Sequence, residues 1–253
     1  TNKTRPRFEP KAGIWAPDIN YINGKYVLYY AMSVWGGEQT CGIGVATANS
    51  PQGPFTDHGK MFRSNEIGVQ NSIDPSLLQY EGRNYLVWGS FRGIYVIELT
   101  ADGLSIMSGA KKKRIAGTAF EAVYIHKHGD YYYMFASIGS CCQGVKSTYK
   151  VVVGRSKKVW GPYKDKTGKP MLKNGYSLVI GANDHFVGNG HGSQIIQDDA
   201  GQDWLLYHGF SRSTPENGRI LLLDQIKWDQ EGWPYVEGGS PSYETQKAPV
   251  FNN

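Results

Sequence analysis

Cysteine is scarce in this chain. Three occur among 253 residues, at positions 41, 141 and 142, which excludes a small scaffold stapled by a disulfide framework. Adjacent cysteines seldom pair with each other, so buried free thiols are expected, with a bridge from Cys41 to the pair as the alternative. No stretch approaches the run of about 20 apolar residues that a membrane-spanning helix requires. No secretory leader is visible either, in a chain that opens on Thr rather than Met. Charged side chains amount to only 19%, which argues against a disordered or long-helical chain. The net charge is +5, and the basic runs are KKKR at 111–114 and the pair Lys157-Lys158. Both read as solvated, turn-like segments. A nucleic-acid groove would interleave basic residues with aromatics over a wider surface, so no such partner is expected.

Aromatics are plentiful, at 13% with 17 Tyr, and 32 Gly and 12 Pro accompany them. That balance suits many short strands joined by tight turns. One pattern recurs four times: WAPDINYINGKYVLYYA (15–31), DPSLLQYEGRNYLVWGS (74–90), EAVYIHKHGDYYYMFAS (121–137) and HGSQIIQDDAGQDWLLYHG (191–209). Each runs from a polar anchor through a short strand and a Gly-bearing hairpin to an aromatic strand. The turn glycines are Gly24, Gly82, Gly129 and Gly201, spaced 58, 47 and 72 residues apart. Further strands are read at Gly42–Ala48 and at 149–154, and Gly53-Pro54-Phe55 is echoed by Gly161-Pro162-Tyr163. Such spacing fits a four-stranded blade with variable loops. Each unit has one apolar face and must stack on a neighbour to bury it. A β-sandwich has no reason to restart the same hairpin, and a β-helix would need shorter, more regular periods. The fold class predicted is an all-β propeller.

The anchors are Asp18, Asp74, Glu121 and His191, and their equivalent repeat positions predict convergence on one axis. Pro75 is expected to restrain Asp74 to extended backbone, giving its carboxylate a fixed direction; the competing role is turn capping. Glu121 stands between Phe120 and Ala122, where a charged carboxylate is costly, and such a site favours the protonated form a general acid needs. His191 is flanked by glycines, so its backbone can approach a neighbour closely. No second His or Cys stands near it at zinc spacing; a hard cation coordinated mainly by water is compatible with it. Trp15 is a candidate platform for a sugar ring, with Trp35, Trp88, Phe91 and Phe186 as weaker ones and core packing as the alternative for each. Carboxylates with an aromatic rim suggest glycoside hydrolysis by an acid and a second carboxylate.

WAPDI at 15–19, IDPS at 73–76, EA-x-Y at 121–124, GSCC-x-G at 139–144, STY at 147–149 and GHGS at 190–193 resemble the arabinanases of glycoside hydrolase family 43, and LLLDQIKWDQEGWPYVEGG (221–239) resembles that family's final blade. The likeness spans nearly the whole chain and is closest to the endo-1,5-α-L-arabinanases. It implies a single catalytic domain over residues 1–253, a five-bladed β-propeller and an inverting mechanism. Carried over residue by residue, it implies that Glu121 is the general acid and that Asp74 orients it. It further implies that His191 is the channel histidine beside a hydrated calcium or other ion, with no organic cofactor. By the same resemblance Trp15 and Asp18 match a segment that borders the substrate, and Cys141 and Cys142 match a pair near the site that is not a disulfide; Phe91 is the further candidate substrate contact. The substrate implied is arabinan or an arabino-oligosaccharide, and the location is secreted or periplasmic.

Two departures qualify this reading. The family's general base is an aspartate on the first blade, upstream of the WAPD segment, and no Asp precedes Trp15 here. The expectation is therefore about four blades, the N-terminal one being absent from this chain or supplied by a separate polypeptide. A non-catalytic carbohydrate-binding propeller is the remaining alternative. The second departure is Ser90-Phe91-Arg92-Gly93, where the family has an SFWSG-like loop. It leaves exo-arabinanase, α-L-arabinofuranosidase and β-xylosidase as alternative specificities.

Overall fold

The computed structural model describes residues 5–252. Apart from one α-helix of a single turn, α1 (Ser64–Ile67), and short 3-10 turns, these residues build antiparallel sheet. Each of the first three sequence repeats opens a sheet whose strands pair in chain order, whereas the fourth repeat begins after the first strand of its sheet. The first holds β1 (Gly13–Ile22), β2 (Lys25–Ser33), β3 (Gly42–Ala48) and β4 (Thr56–Arg63). The second holds β5 (Ser76–Tyr80), β6 (Arg83–Trp88), β7 (Ile94–Glu98) and β8 (Lys113–Ala116). In the third are β9 (Glu121–His128), β10 (Tyr131–Ile138), β11 (Lys150–Ser156) and β12 (Ser177–Ile180). The fourth runs β13 (Phe186–Gly190), β15 (Asp203–Ser211), β16 (Arg219–Trp228) and β17 (Pro234–Tyr235), with a short β14 (Ile196–Gln197) also paired to β15. The β-propeller read from the repeats is thus represented by four blades among the described residues.

The hairpins form where the sequence places them. Asn23-Gly24 and Glu81-Gly82 both have positive φ at both residues, closing two-residue loops between Ile22 and Lys25 and between Tyr80 and Arg83. That is the primed turn whose twist matches the strands. The peptides Gly53-Pro54 and Gly161-Pro162, paired in the sequence reading, are both cis. Of the basic run at 111–114, Lys113 and Arg114 lie in β8 rather than in a turn.

Two compact units are present, Thr1–Val123 and Tyr124–Asn253. In the first, the two sheets bury Val27, Tyr29, Ile43, Val45, Phe62, Leu86 and Ile97 against one another. Strand β3 is buried along almost its whole length, and Gly44 lets the Tyr30 ring lie flat on it, since a Cβ there would come 2.4 Å from the phenol. Trp88, read as a weaker sugar platform, is fully buried in this core and donates Nε1–H to Ser72 Oγ at 3.0 Å. Its indole is packing, because its strand position points inward between Phe62 and Tyr95. The second unit has its own core, built on Tyr133, Phe135, Val153, Leu205, Tyr207, Ile226 and Trp233.

Candidate active site

A non-glycine residue in left-handed conformation stands near the start of each repeat: Ala16 (φ 36°) within β1, Asp74 (54°) two residues before β5, Ala122 (52°) within β9 and His191 (53°) directly after β13. The extended backbone expected for Asp74 ahead of Pro75 is therefore not what forms. Non-glycine residues adopt this conformation at a cost of order 1 kcal/mol or more, and contacts on both sides impose it. Gly89 N–H donates to Ile73 O at 2.9 Å, and Asp74 Oδ2 accepts the Ala122 N–H at 3.2 Å. Asp74 thereby reaches the backbone one residue past Glu121, and both carboxyl groups are buried, at 7% and 8% exposure.

Counting from these kinks separates the four anchors. Asp74 and His191 are the kink residues, Glu121 immediately precedes one, and Asp18 stands two residues beyond Ala16. A bulge between Trp15 and Asp18, where Pro17 has no N–H to lose, makes that offset. Asp18 occupies the place of Ser76, and the two do the same job. The Asp18 carboxylate accepts the Leu77 N–H at 2.7 Å, joining the first sheet to the second, and Asn20 Nδ2–H at 2.6 Å. Ser76 Oγ donates to Val123 O at 2.6 Å, joining the second sheet to the start of β9. Asp18, placed at the substrate by resemblance, is a buried carboxylate that fastens one sheet to the next.

Glu121 receives a hydrogen bond from Ser90 Oγ to Oε2 at 2.6 Å. Ser90 is in turn gripped by Asn71, whose Nδ2 donates to Ser90 Oγ and to Ser90 O, both at 3.0 Å. Phe91 N–H donates to Phe120 O at 2.9 Å, so the loop after β6 is fastened directly beside the acid. Burial pushes the Asp74 carboxyl up to about 7, against the opposing pull of the Ala122 N–H. This part of the protein can thus carry a proton near neutrality, the property an acid catalyst's surroundings must have.

Aromatic surface lies in the same unit. Half-buried Trp15 meets Trp35 with ring centroids 6.3 Å apart, and Trp35 is 80% exposed. Phe91 is partly buried. Arg92, the departure from the family's loop, donates from Nε and Nη2 to the two Glu38 oxygens at 2.9 and 2.8 Å and from Nη1 to Phe91 O at 2.9 Å. It therefore braces the loop that bears Phe91.

His191 lies in the second unit. Its backbone N–H donates to Ser137 Oγ at 2.8 Å, and its ring stacks on His208 at 6.2 Å. The close approach read from its glycines is present, since a Cβ on Gly190 would fall 2.3 Å from the Tyr149 ring. His208 stacks on that ring too, and both its nitrogens are buried without a hydrogen-bond partner. Burial first, then the charges of His191 and Arg219, lower its pKa to about 3, so it is neutral at physiological pH. A calcium ion prefers six to eight oxygens. Around His191 the second unit offers imidazoles, and no three-donor group among the described residues includes it. The fit to calcium is poor, and no chemical step is routed through an ion there.

Cys141 and Cys142 are bonded to each other as a disulfide, contrary to both the general expectation and the resemblance. Their Cα atoms lie 3.8 Å apart, and the surrounding loop is turned tightly by Thr148 Oγ1, which accepts Ser140 N–H at 3.0 Å, and by Ser147 Oγ, which accepts Gln143 N–H at 2.9 Å. That turn presents the two side chains to each other. They lie in a partly exposed loop, while Cys41 is the buried free thiol that was expected.

Ser90, Asn71, Ser137 and His208 were not singled out by the sequence. A signal existed for the two serines: each closes its repeat, and each meets the anchor of the following repeat, Glu121 or His191. Asn71 and His208 carry no comparable mark.

The sequence profile described as Glycosyl hydrolases family 43 matches residues 1–234. The extracellular exo-α-(1→5)-L-arabinofuranosidase of Cellvibrio japonicus is 39% identical over 246 residues, covering 88% of this chain and 70% of that protein. The extracellular endo-α-(1→5)-L-arabinanase 1 of Bacillus subtilis is 38% identical over 228 residues, covering 87% and 68%. Among solved structures, the α-L-arabinanase of Cellvibrio cellulosa in complex with arabinohexaose superposes with a TM-score of 0.84 at 34% identity, over 93% of this chain and 83% of that one. Agreement of profile, sequence and backbone over most of its length makes this chain a member of glycosyl hydrolase family 43.

Proposed function

We propose that this chain is the catalytic propeller of an inverting hydrolase that cleaves α-1,5-linked L-arabinan within the chain. One observation carries the reading: a buried glutamate, Glu121, is clamped by Ser90 beside a buried aspartate that retains a proton near neutrality. The similarity to arabinan-degrading relatives supports the substrate. On this reading Glu121 protonates the leaving glycosidic oxygen, and Asp74 fixes the backbone on which Glu121 stands. The carboxylate that activates water comes from the fifth, N-terminal blade that the family resemblance implies. Trp15 and Trp35 stack on the sugar and Phe91 borders it, while the family resemblance assigns binding rather than bond cleavage to His191 and to the Cys141–Cys142 loop. Extracellular relatives and a disulfide support work outside the cytoplasm.

Product analysis on linear 1,5-arabinan tests this. Internal cleavage releases mixed oligomers at once. Release of a single product from the chain end would favour the exo action named for the Cellvibrio japonicus relative, and binding without turnover would leave a carbohydrate-binding propeller.

A further inference from the structure

A second cluster of polar side chains lies entirely within the second unit and takes no part in the hydrolytic reading. His126 and His128 are two apart on β9, so both rings project from the same face. Asp203 opens β15 and is buried. One donor atom from each of the three lies within 4.8 Å of the other two. We propose that His126, His128 and Asp203 form a binding site for a divalent transition metal of the zinc type, tying the third sheet to the fourth.

The carboxylate is already oriented as a ligand would be. Gln197 Nε2 donates to Oδ1 at 3.2 Å and Trp228 Nε1 donates to Oδ2 at 2.8 Å. Hydrogen bonds of this kind aim a ligating carboxylate and fix its geometry. The His128 ring lies flat on the Trp228 indole, 3.7 Å away and 8° from parallel, and His126 lies over the same indole at 6.0 Å. One tryptophan thus packs against both imidazoles and orients the acid. His128 Nδ1 stands 3.8 Å from Asp203 Oδ2, beyond hydrogen-bond range; the pair is not bonded to itself. Tetrahedral zinc with bonds of about 2.0–2.2 Å needs donors roughly 3.3–3.5 Å apart, so a small rotation of the two rings closes the site. Two imidazoles and one carboxylate suit zinc, nickel or copper, whereas calcium requires an all-oxygen shell. The His128 side chain is 38% exposed, which gives an ion and its remaining waters a path in.

The test uses chelator-treated protein titrated with zinc chloride alone, followed by calorimetry and thermal unfolding. One zinc is expected per chain at this site. At a free concentration about a hundredfold above Kd, the expected rise in Tm is roughly 5–10 °C. His126→Gln and His128→Gln are each expected to weaken binding at least tenfold and to lose the shift, with metal-free Tm near that of the parent. Calcium chloride should give no shift that these substitutions remove. Should a variant fold poorly, long-range 1H–15N spectra of the unaltered protein decide the matter: the His126 and His128 ring nitrogens should move on zinc addition. Absence of zinc binding, undiminished binding in both variants, or unmoved ring signals would overturn the proposal. Arabinan hydrolysis enters none of these readouts, so the proposal stands or falls separately from the hydrolytic one.

Discussion

Ser90 Oγ donates to Glu121 Oε2 at 2.6 Å, and Asn71 Nδ2 donates to that same Ser90 oxygen at 3.0 Å. The second contact fixes the hydroxyl, so the first can fix the carboxyl rotamer. A hydrogen bond to a charged or acidic group contributes about 1.5–3 kcal/mol. Ser90→Ala is therefore predicted to lower kcat on linear arabinan roughly 10- to 100-fold with little change in KM, and Ser90→Thr to restore most of the loss. A change confined to KM would show that the serine does not position the acid.

Asp74 couples the site to stability. Its folded-state pKa, about 7, lies above the ordinary value of 3.8 because of burial. The folded protein then binds more protons than the unfolded chain between those values, so its stability falls as pH rises from about 4 to 7 and levels off beyond. Asp74→Asn keeps an oxygen for the Ala122 N–H and cannot ionise. Urea unfolding at pH 4.5 and pH 8 should show the variant gaining on the parent, by a few kcal/mol at most, while losing activity.

Asp18 is predicted to matter first for folding. Asp18→Ala leaves the Leu77 N–H and the Asn20 amide without their acceptor, at a cost of about 2–4 kcal/mol. Denaturant unfolding measures this directly. A variant as stable as the parent, yet weak in oligosaccharide binding, would return Asp18 to the substrate role that resemblance assigns it.

The cysteine pairing predicts a labelling pattern. Native protein should take up no iodoacetamide at buried Cys41. Protein unfolded without reductant should take up one label, and after reduction three, read by intact mass. Three labels without reductant would mean that Cys141 and Cys142 are free.

Much of the architecture was legible because hairpin chemistry is local. Gly24, Gly82, Gly129 and Gly201 all adopt the positive φ their turns require, and the repeats around them became sheets. What failed was set by tertiary contact. Asp74 was read as extended from Pro75 alone, and contacts to Ile73 O and Ala122 N–H twist it into the left-handed region. Asp18 was aligned with Asp74 and Glu121 because a one-residue bulge at Ala16–Pro17 leaves no periodic trace. Ser90 and Ser137 sat in view at the ends of their repeats, but a serine's partner lies in the next repeat and sequence spacing does not name it. The Cys141–Cys142 bond depends on how one loop is folded, and general frequencies pointed the other way.

The central claim is that Glu121 delivers the proton. Glu121→Gln retains the shape and an oxygen for Ser90 but holds no acidic proton, so turnover of linear 1,5-arabinan by this variant of the intact protein, measured beside its affinity for an arabino-oligosaccharide, is the most direct measurement. The account predicts a rate lower by roughly 10²- to 10⁴-fold with affinity changed only a few-fold. Turnover at the parent's rate would contradict it.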